Sequence, residues 1–147
     1  MAKKDNYLKM KNSFTSHEEN YKIWKEKLLN GTSFDELEIK EKTLQFIIEL
    51  LTEKKDYLKL YEHQKEAVLR IIYSYEIIRK IDKDRERSFR NLLLDIVTGG
   101  GKTVIIACCI VYLKKCHDID KFLILTPNTI VRDRLSDDFA QVINGKE

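Results

Sequence analysis

The stretch Asn91-Leu92-Leu93-Leu94-Asp95-Ile96-Val97-Thr98-Gly99-Gly100-Gly101-Lys102-Thr103 decides the fold expected of this chain. Residues 91–97 are a short apolar run of the kind that fits a buried strand. Three glycines turn the chain, and residues 102–115 then read as an apolar helix. Lys121-Phe122-Leu123-Ile124-Leu125-Thr126 is a second buried-type strand, Pro127-Asn128 turns the chain again, and residues 129–142 read as another helix. Strand, turn, helix, strand is one βαβ unit, which implies two parallel strands joined by a right-handed crossover. The expected class is therefore α/β.

Working outward, the first half of the chain is nearly free of breakers. Pro127 is the only proline, and three of the five glycines are those at 99–101. Helix is expected to dominate there. Residues 1–15 are polar and read as a disordered lead. Residues 16–30 read as a helix with Tyr21, Trp24 and Leu28 at helical spacing, stopped by Asn30-Gly31. Ser33 offers an N-cap with Glu36 three residues later, a capping-box pattern. The helix after it would place Leu37, Leu44, Ile47, Ile48 and Leu51 on one side. A third helix is expected over about residues 61–80, with Val68, Ile71, Ile72, Tyr75 and Ile78 toward a core. Residues 81–89 form a charged connector. This divides the chain into a polar lead (1–15), a helical N-terminal region (16–57) and an α/β part (58–147).

Composition sets outer limits. In 147 residues 43% are apolar, enough for a core, and 35% are charged. The net charge of +3 is too small to identify a nucleic-acid partner by itself, and its excess is local, with seven Lys against four acids in residues 1–30. Cys108, Cys109 and Cys116 are an odd, clustered set, unlike a disulfide framework, which points to a reducing compartment. No signal peptide is visible, and the longest apolar stretch, residues 104–113, is too short to span a bilayer. The chain reads as cytoplasmic, without a membrane partner. Cys108, Cys109, Cys116 and His117 share a helix without a second pair at zinc spacing, so buried apolar cysteine is the better reading.

The chemistry lies in the glycine turn. A triphosphate needs many donors in a small space, and consecutive glycines let the backbone approach its oxygens. The start of the 102–115 helix adds unpaired N–H groups and the positive end of a dipole. Thr98, Gly99, Gly100, Gly101, Lys102 and Thr103 are the candidate nucleotide-binding residues. Lys102 would reach the β- and γ-phosphates, and Thr103 would hold Mg²⁺ through its hydroxyl. The P-loop pattern asks for glycine at position 96, where this chain has Ile96. The alternative is a glycine-rich turn with an accidental Lys-Thr, or a P-loop protein of another kind.

Residues 95–104 resemble motif I of superfamily 2 DEAD/DEAH-type helicases and translocases, most closely the branch holding type III restriction (Res subunit) enzymes and the UvrB-like N-terminal helicase domain. Leu60-Tyr61-Glu62-His63-Gln64-Lys65-Glu66-Ala67-Val68 resembles the segment ahead of that motif, in which a glutamine reads the adenine edge; Gln64 matches it, whereas Tyr61, Glu62 and His63 depart from the family's Arg-Pro-Tyr. Residues 122–134 resemble motif Ia, which lies along the nucleic-acid backbone in the family, so Thr126, Pro127, Asn128 and Arg132 are the DNA-binding candidates. The resemblance implies an incomplete RecA-like P-loop unit, ATP and Mg²⁺ as cofactors, and DNA as the partner of a larger protein. The other part of a split motor, or a methyltransferase or specificity subunit, would be a further partner.

The family's hydrolysis also uses an Asp-Glu motif after motif Ia and a second domain with an arginine finger. Asp137-Asp138 and Asp35-Glu36 are not that motif, so no complete catalytic set is expected here. The expectation is the ATP-binding N-terminal portion of an ATP-dependent helicase or translocase, with hydrolysis in its full-length parent. The alternative is a remnant or module that binds ATP without turning it over.

Overall fold

The computed structural model describes residues 17–52, 59–81, 92–97 and 99–125. These residues form α1 (residues 17–29), α2 (Glu41–Leu51), α3 (Glu62–Tyr73), a π-helical stretch Ser74–Ile78, α4 (Arg79–Ile81) continuing from it, and α5 (Lys102–His117). α5 packs against α3 and α2, and one apolar cluster joins the helices.

α1 buries Tyr21, Trp24 and Leu28, its spaced apolar positions. The Trp24 indole N–H donates to the Leu37 carbonyl at 3.0 Å, so a large apolar ring is buried with its one polar atom satisfied. Tyr73 of α3 meets both Tyr21 and Trp24 at 5.3 Å between ring centres. Outside this contact, Arg70 clasps Glu18 through two hydrogen bonds of 2.7 and 2.9 Å. Both side chains of that pair are more than a third exposed, so the aromatic contact carries more of the α1–α3 attachment.

The helix expected from Ser33 does not run through to Leu51. Residues 34–38 make one turn, in which the Leu37 N–H reaches the Ser33 carbonyl at 3.1 Å. Glu38 then takes the left-handed conformation (φ 58°) and ends it. The break buries Leu37 and Ile39 on either side of Glu38, and α2 starts afresh at Glu41. Tertiary burial of those two side chains outweighs a local cap worth about 1 kcal/mol.

The expected α/β unit of parallel strands is overturned. Among the described residues there is no strand and no sheet. Residues 92–97 and 121–125 take no regular structure. A strand exists only through hydrogen bonds to a neighbour, and apolar, β-branched composition cannot supply them. What survives is the alternation. Leu93 and Val97 are 92% and 78% exposed, while Leu94 and Ile96 between them pack against the helical core. Leu123 and Leu125, both 84% exposed, alternate with Phe122 and Ile124 at 37%. Of the runs read as buried on both sides, 92–97 is open on one side and 121–125 is exposed along its length.

α5 is apolar around its circumference and buries Ile105, Ala107, Cys108, Tyr112 and Cys116. It ends at Asp118, left-handed at φ 56°, with the Ile119 N–H returning to the Leu113 carbonyl at 3.2 Å. Cys108 and Cys116 are core residues, and burial pushes the Cys108 thiol up to about 11. No cluster of metal-ligating side chains occurs among the described residues. The expected lead at 1–15, most of the charged connector and the helix at 129–142 lie outside them.

Candidate functional site

The glycine turn sits at the start of α5. Gly99 and Gly101 have φ of +82° and +75°, which a side chain would strain. Gly100, between them, is buried and donates its N–H to the Val97 carbonyl at 3.0 Å. A Cβ on Gly100 would come within 2.7 Å of the Ile96 side chain. A Cβ on Gly99 would meet nothing within 4 Å among the described residues. Each of the three positions thus uses glycine for a different reason.

Gly101 is the N-cap of α5, and its carbonyl receives the Val104 and Ile105 N–H groups at 3.0 and 3.3 Å. Lys102 and Thr103 follow as the first two helical residues, where backbone N–H groups have no carbonyl behind them. The first turn contains no acid to neutralise the dipole. Lys102 is exposed and Thr103 half-buried. An ammonium, free amides and a hydroxyl on one helix end form a set suited to an anion, and the glycines leave it room.

α3 holds this turn from the other side. Gln64 is buried, and its amide is engaged at both ends. Its oxygen accepts the Tyr61 N–H at 3.0 Å, and its nitrogen donates to the Gly100 carbonyl at 3.2 Å. A Cβ on Gly101 would collide with that amide nitrogen. The structure therefore brings Gln64, Gly99, Gly100, Gly101, Lys102 and Thr103 into one locality from two helices. Thr98, Thr126, Pro127, Asn128 and Arg132 lie outside the described residues.

A second constellation, which the sequence reading missed, closes the far end of α5. Glu76, in the π-helical stretch, is 3% exposed. Its carboxylate accepts from the Thr43 hydroxyl at 2.5 Å, the Tyr112 hydroxyl at 2.8 Å and the Lys40 N–H at 3.0 Å. His117 Nε2 stands 2.9 Å from the same oxygen that Thr43 and Tyr112 reach. Burial works to raise the Glu76 carboxyl, but the hydrogen bonds from Thr43, Tyr112, Lys40 and His117 outweigh it and hold it below the usual range. On the other ring edge, Lys40 Nζ lies 3.2 Å from His117 Nδ1. An ammonium can only donate, so Nδ1 is the acceptor and a neutral ring carries its proton on Nε2, aimed at Glu76.

The signal for this hub was present. Val68, Ile72 and Glu76 recur every four residues, and a lone acid on an apolar stripe marks a buried, partnered carboxylate. Removing Glu76 would leave the buried Tyr112 and Thr43 hydroxyls without this acceptor, at roughly 1–3 kcal/mol for each group left unsatisfied. The hub is a structural anchor for α5, tying its last turn to α2 and to the continuation of α3.

A glycine turn opening one helix and clasped by the glutamine of another fits a helicase-like module. Residues 57–147, more than half of the chain, match the family model described as "Type III restriction enzyme, res subunit". The chain belongs to the type III restriction enzyme res subunit family. Among curated proteins and solved structures, none matches it. No helix among the described residues is long and apolar enough to cross a membrane.

Proposed function

We propose that residues 98–103 bind the triphosphate of ATP with Mg²⁺, as the nucleotide-binding part of an ATP-driven DNA translocase in the cytoplasm. The observation that carries this is the turn itself, with Gly99 and Gly101 at positive φ, Gly100 packed tightly between them, and Lys102 and Thr103 on the first turn of an acid-free helix end. Lys102 neutralises the β- and γ-phosphates, and the Thr103 hydroxyl ligates the ion. Bound Mg²⁺ supplies charge neutralisation across the phosphates. Gln64, within reach of the turn, reads the base edge after releasing one of its two present partners. Thr126, Pro127, Asn128 and Arg132 are the contacts to the DNA backbone. Binding is the function assigned to these residues, and turnover requires an acidic group to place the attacking water, supplied elsewhere in the motor. A methyltransferase subunit or the remainder of the motor is the protein partner in this reading.

The test is titration of the 147-residue chain with Mg-ATP, by calorimetry or with a fluorescent analogue. Lys102→Ala is expected to weaken binding more than about tenfold, the scale of a lost charge-assisted contact. Helical content by circular dichroism should stay unchanged, because Lys102 is exposed. Binding at wild-type affinity would show that the turn is not a phosphate cradle.

A further inference from the structure

The Gly100 carbonyl accepts from two consecutive side chains of α3: His63 Nε2 at 2.8 Å and Gln64 Nε2 at 3.2 Å. The two donors differ in what else binds them. Gln64 is buried, and its amide oxygen is held by the Tyr61 N–H. A ligand that engages this amide must take it from Tyr61 or from Gly100. His63 is exposed and stands at the turn on its own. Its ring lies flat against Tyr61, with centres 5.8 Å apart and planes 8° apart, which fixes its direction. Only a ring with hydrogen on Nε2 can meet a carbonyl oxygen, and both the imidazolium and one neutral tautomer have it.

We propose that His63 is a positioning residue of the phosphate loop: it holds the Gly100 carbonyl, so that Gln64 can leave it for the ligand's base while the turn keeps its shape. This rests on the nucleotide reading above. Gly100 has few other restraints. Its N–H is tied to Val97 within the same turn, and residues 92–97 take no regular structure that could brace it. His63 bonds to the turn from a separate, packed helix.

The experiment uses the full chain in four forms: wild type, His63→Ala, His63→Gln and Gln64→Ala. Hydrogen exchange of residues 99–103 is measured without ligand, and binding is measured for Mg-ATP and for Mg-tripolyphosphate, which has no base. Loss of one net hydrogen bond corresponds to roughly a three- to tenfold change. His63→Ala should speed exchange at the turn by that factor and weaken both ligands equally. His63→Gln, which restores an N–H donor, should recover both. Gln64→Ala should weaken ATP more than tripolyphosphate. If His63→Ala exchanges and binds like wild type, or if His63→Gln recovers nothing, the role of His63 is overturned while the nucleotide reading stands. A wild-type chain that takes up neither ligand overturns both.

Discussion

Gly101 carries two constraints at once, and they separate in a mutant. Its φ of +75° costs any other residue about 1–2 kcal/mol. A Cβ there would also strike the Gln64 amide, so Ala must displace a buried, doubly bonded side chain. Gly31, at the end of α1, has nearly the same φ of +78° but open space where its Cβ would be. Gly31→Ala therefore costs only the backbone strain, and Gly101→Ala costs that plus the lost hydrogen bonds, about 1 kcal/mol more. Urea unfolding of both variants checks this, and equal losses would mean that Gln64 does not brace the turn. The glycine run was readable from sequence as a turn that opens the helix starting at Lys102. The resemblance grouped Gln64 with it, but the hydrogen bond from Gln64 to the Gly100 carbonyl was not readable, because that contact spans a helix and a connector and only packing sets it.

α3 and its π-helical continuation clasp α5 at both ends, with His63 and Gln64 at the loop and Glu76 at the last turn. The π geometry adds a residue to the turn, and such insertions redirect the side chains that follow. The Glu76 hub gives the element pair a pH dependence. Burial pushes His117 below its ordinary 6.5, against the upward pull of Glu76, and nearby Lys40 and Arg79 push it further down. Thr43 from α2, Tyr75 from the π-helical stretch and Tyr112 from α5 itself complete the polar surroundings. The folded state thus binds a proton at His117 less readily than the unfolded chain. The stability it contributes is present above about 6.5 and is lost as pH falls through that value toward the lower folded one. Protonation also puts a hydrogen on Nδ1 facing the Lys40 ammonium, which expels Lys40 from the Cys116 carbonyl it holds at 3.1 Å. The urea midpoint of wild type should drop between pH 7.5 and 5.5. His117→Gln, which keeps a donor for Glu76 and cannot titrate, should show a smaller drop. Glu76, Glu66 and Glu18, all held low, contribute their losses only below the ordinary carboxyl value of 4.5. An identical drop in both proteins would remove His117 from the account.

At the scale of the molecule, a helical core covers the apolar run 92–97 on one side only and leaves the run 121–125 exposed. Leu93, Val97, Leu123 and Leu125 face solvent, an arrangement that favours self-association. Replacing Leu93 and Leu123 by Ser should reduce concentration-dependent light scattering and leave the urea midpoint within about 0.5 kcal/mol, since neither side chain is packed. A large loss of stability would show that these leucines belong to a core. Sequence by itself determined what short-range physics controls: the apolar stripes of α1 and α3, the all-round apolar helix α5, the glycine turn with Lys102 and Thr103 at a helix start, and the family, which rests on ordered motifs. Tertiary structure alone decided the rest. It split the expected helix at Glu38 to bury Leu37 and Ile39, gathered Glu76, Thr43, Tyr112 and His117 from three elements, and left residues 92–97 and 121–125 without strand pairing. Periodicity reports which side chains leave water, but a hydrogen-bond partner far along the chain has no local signature, so pairing and polar networks appear only once the chain is folded.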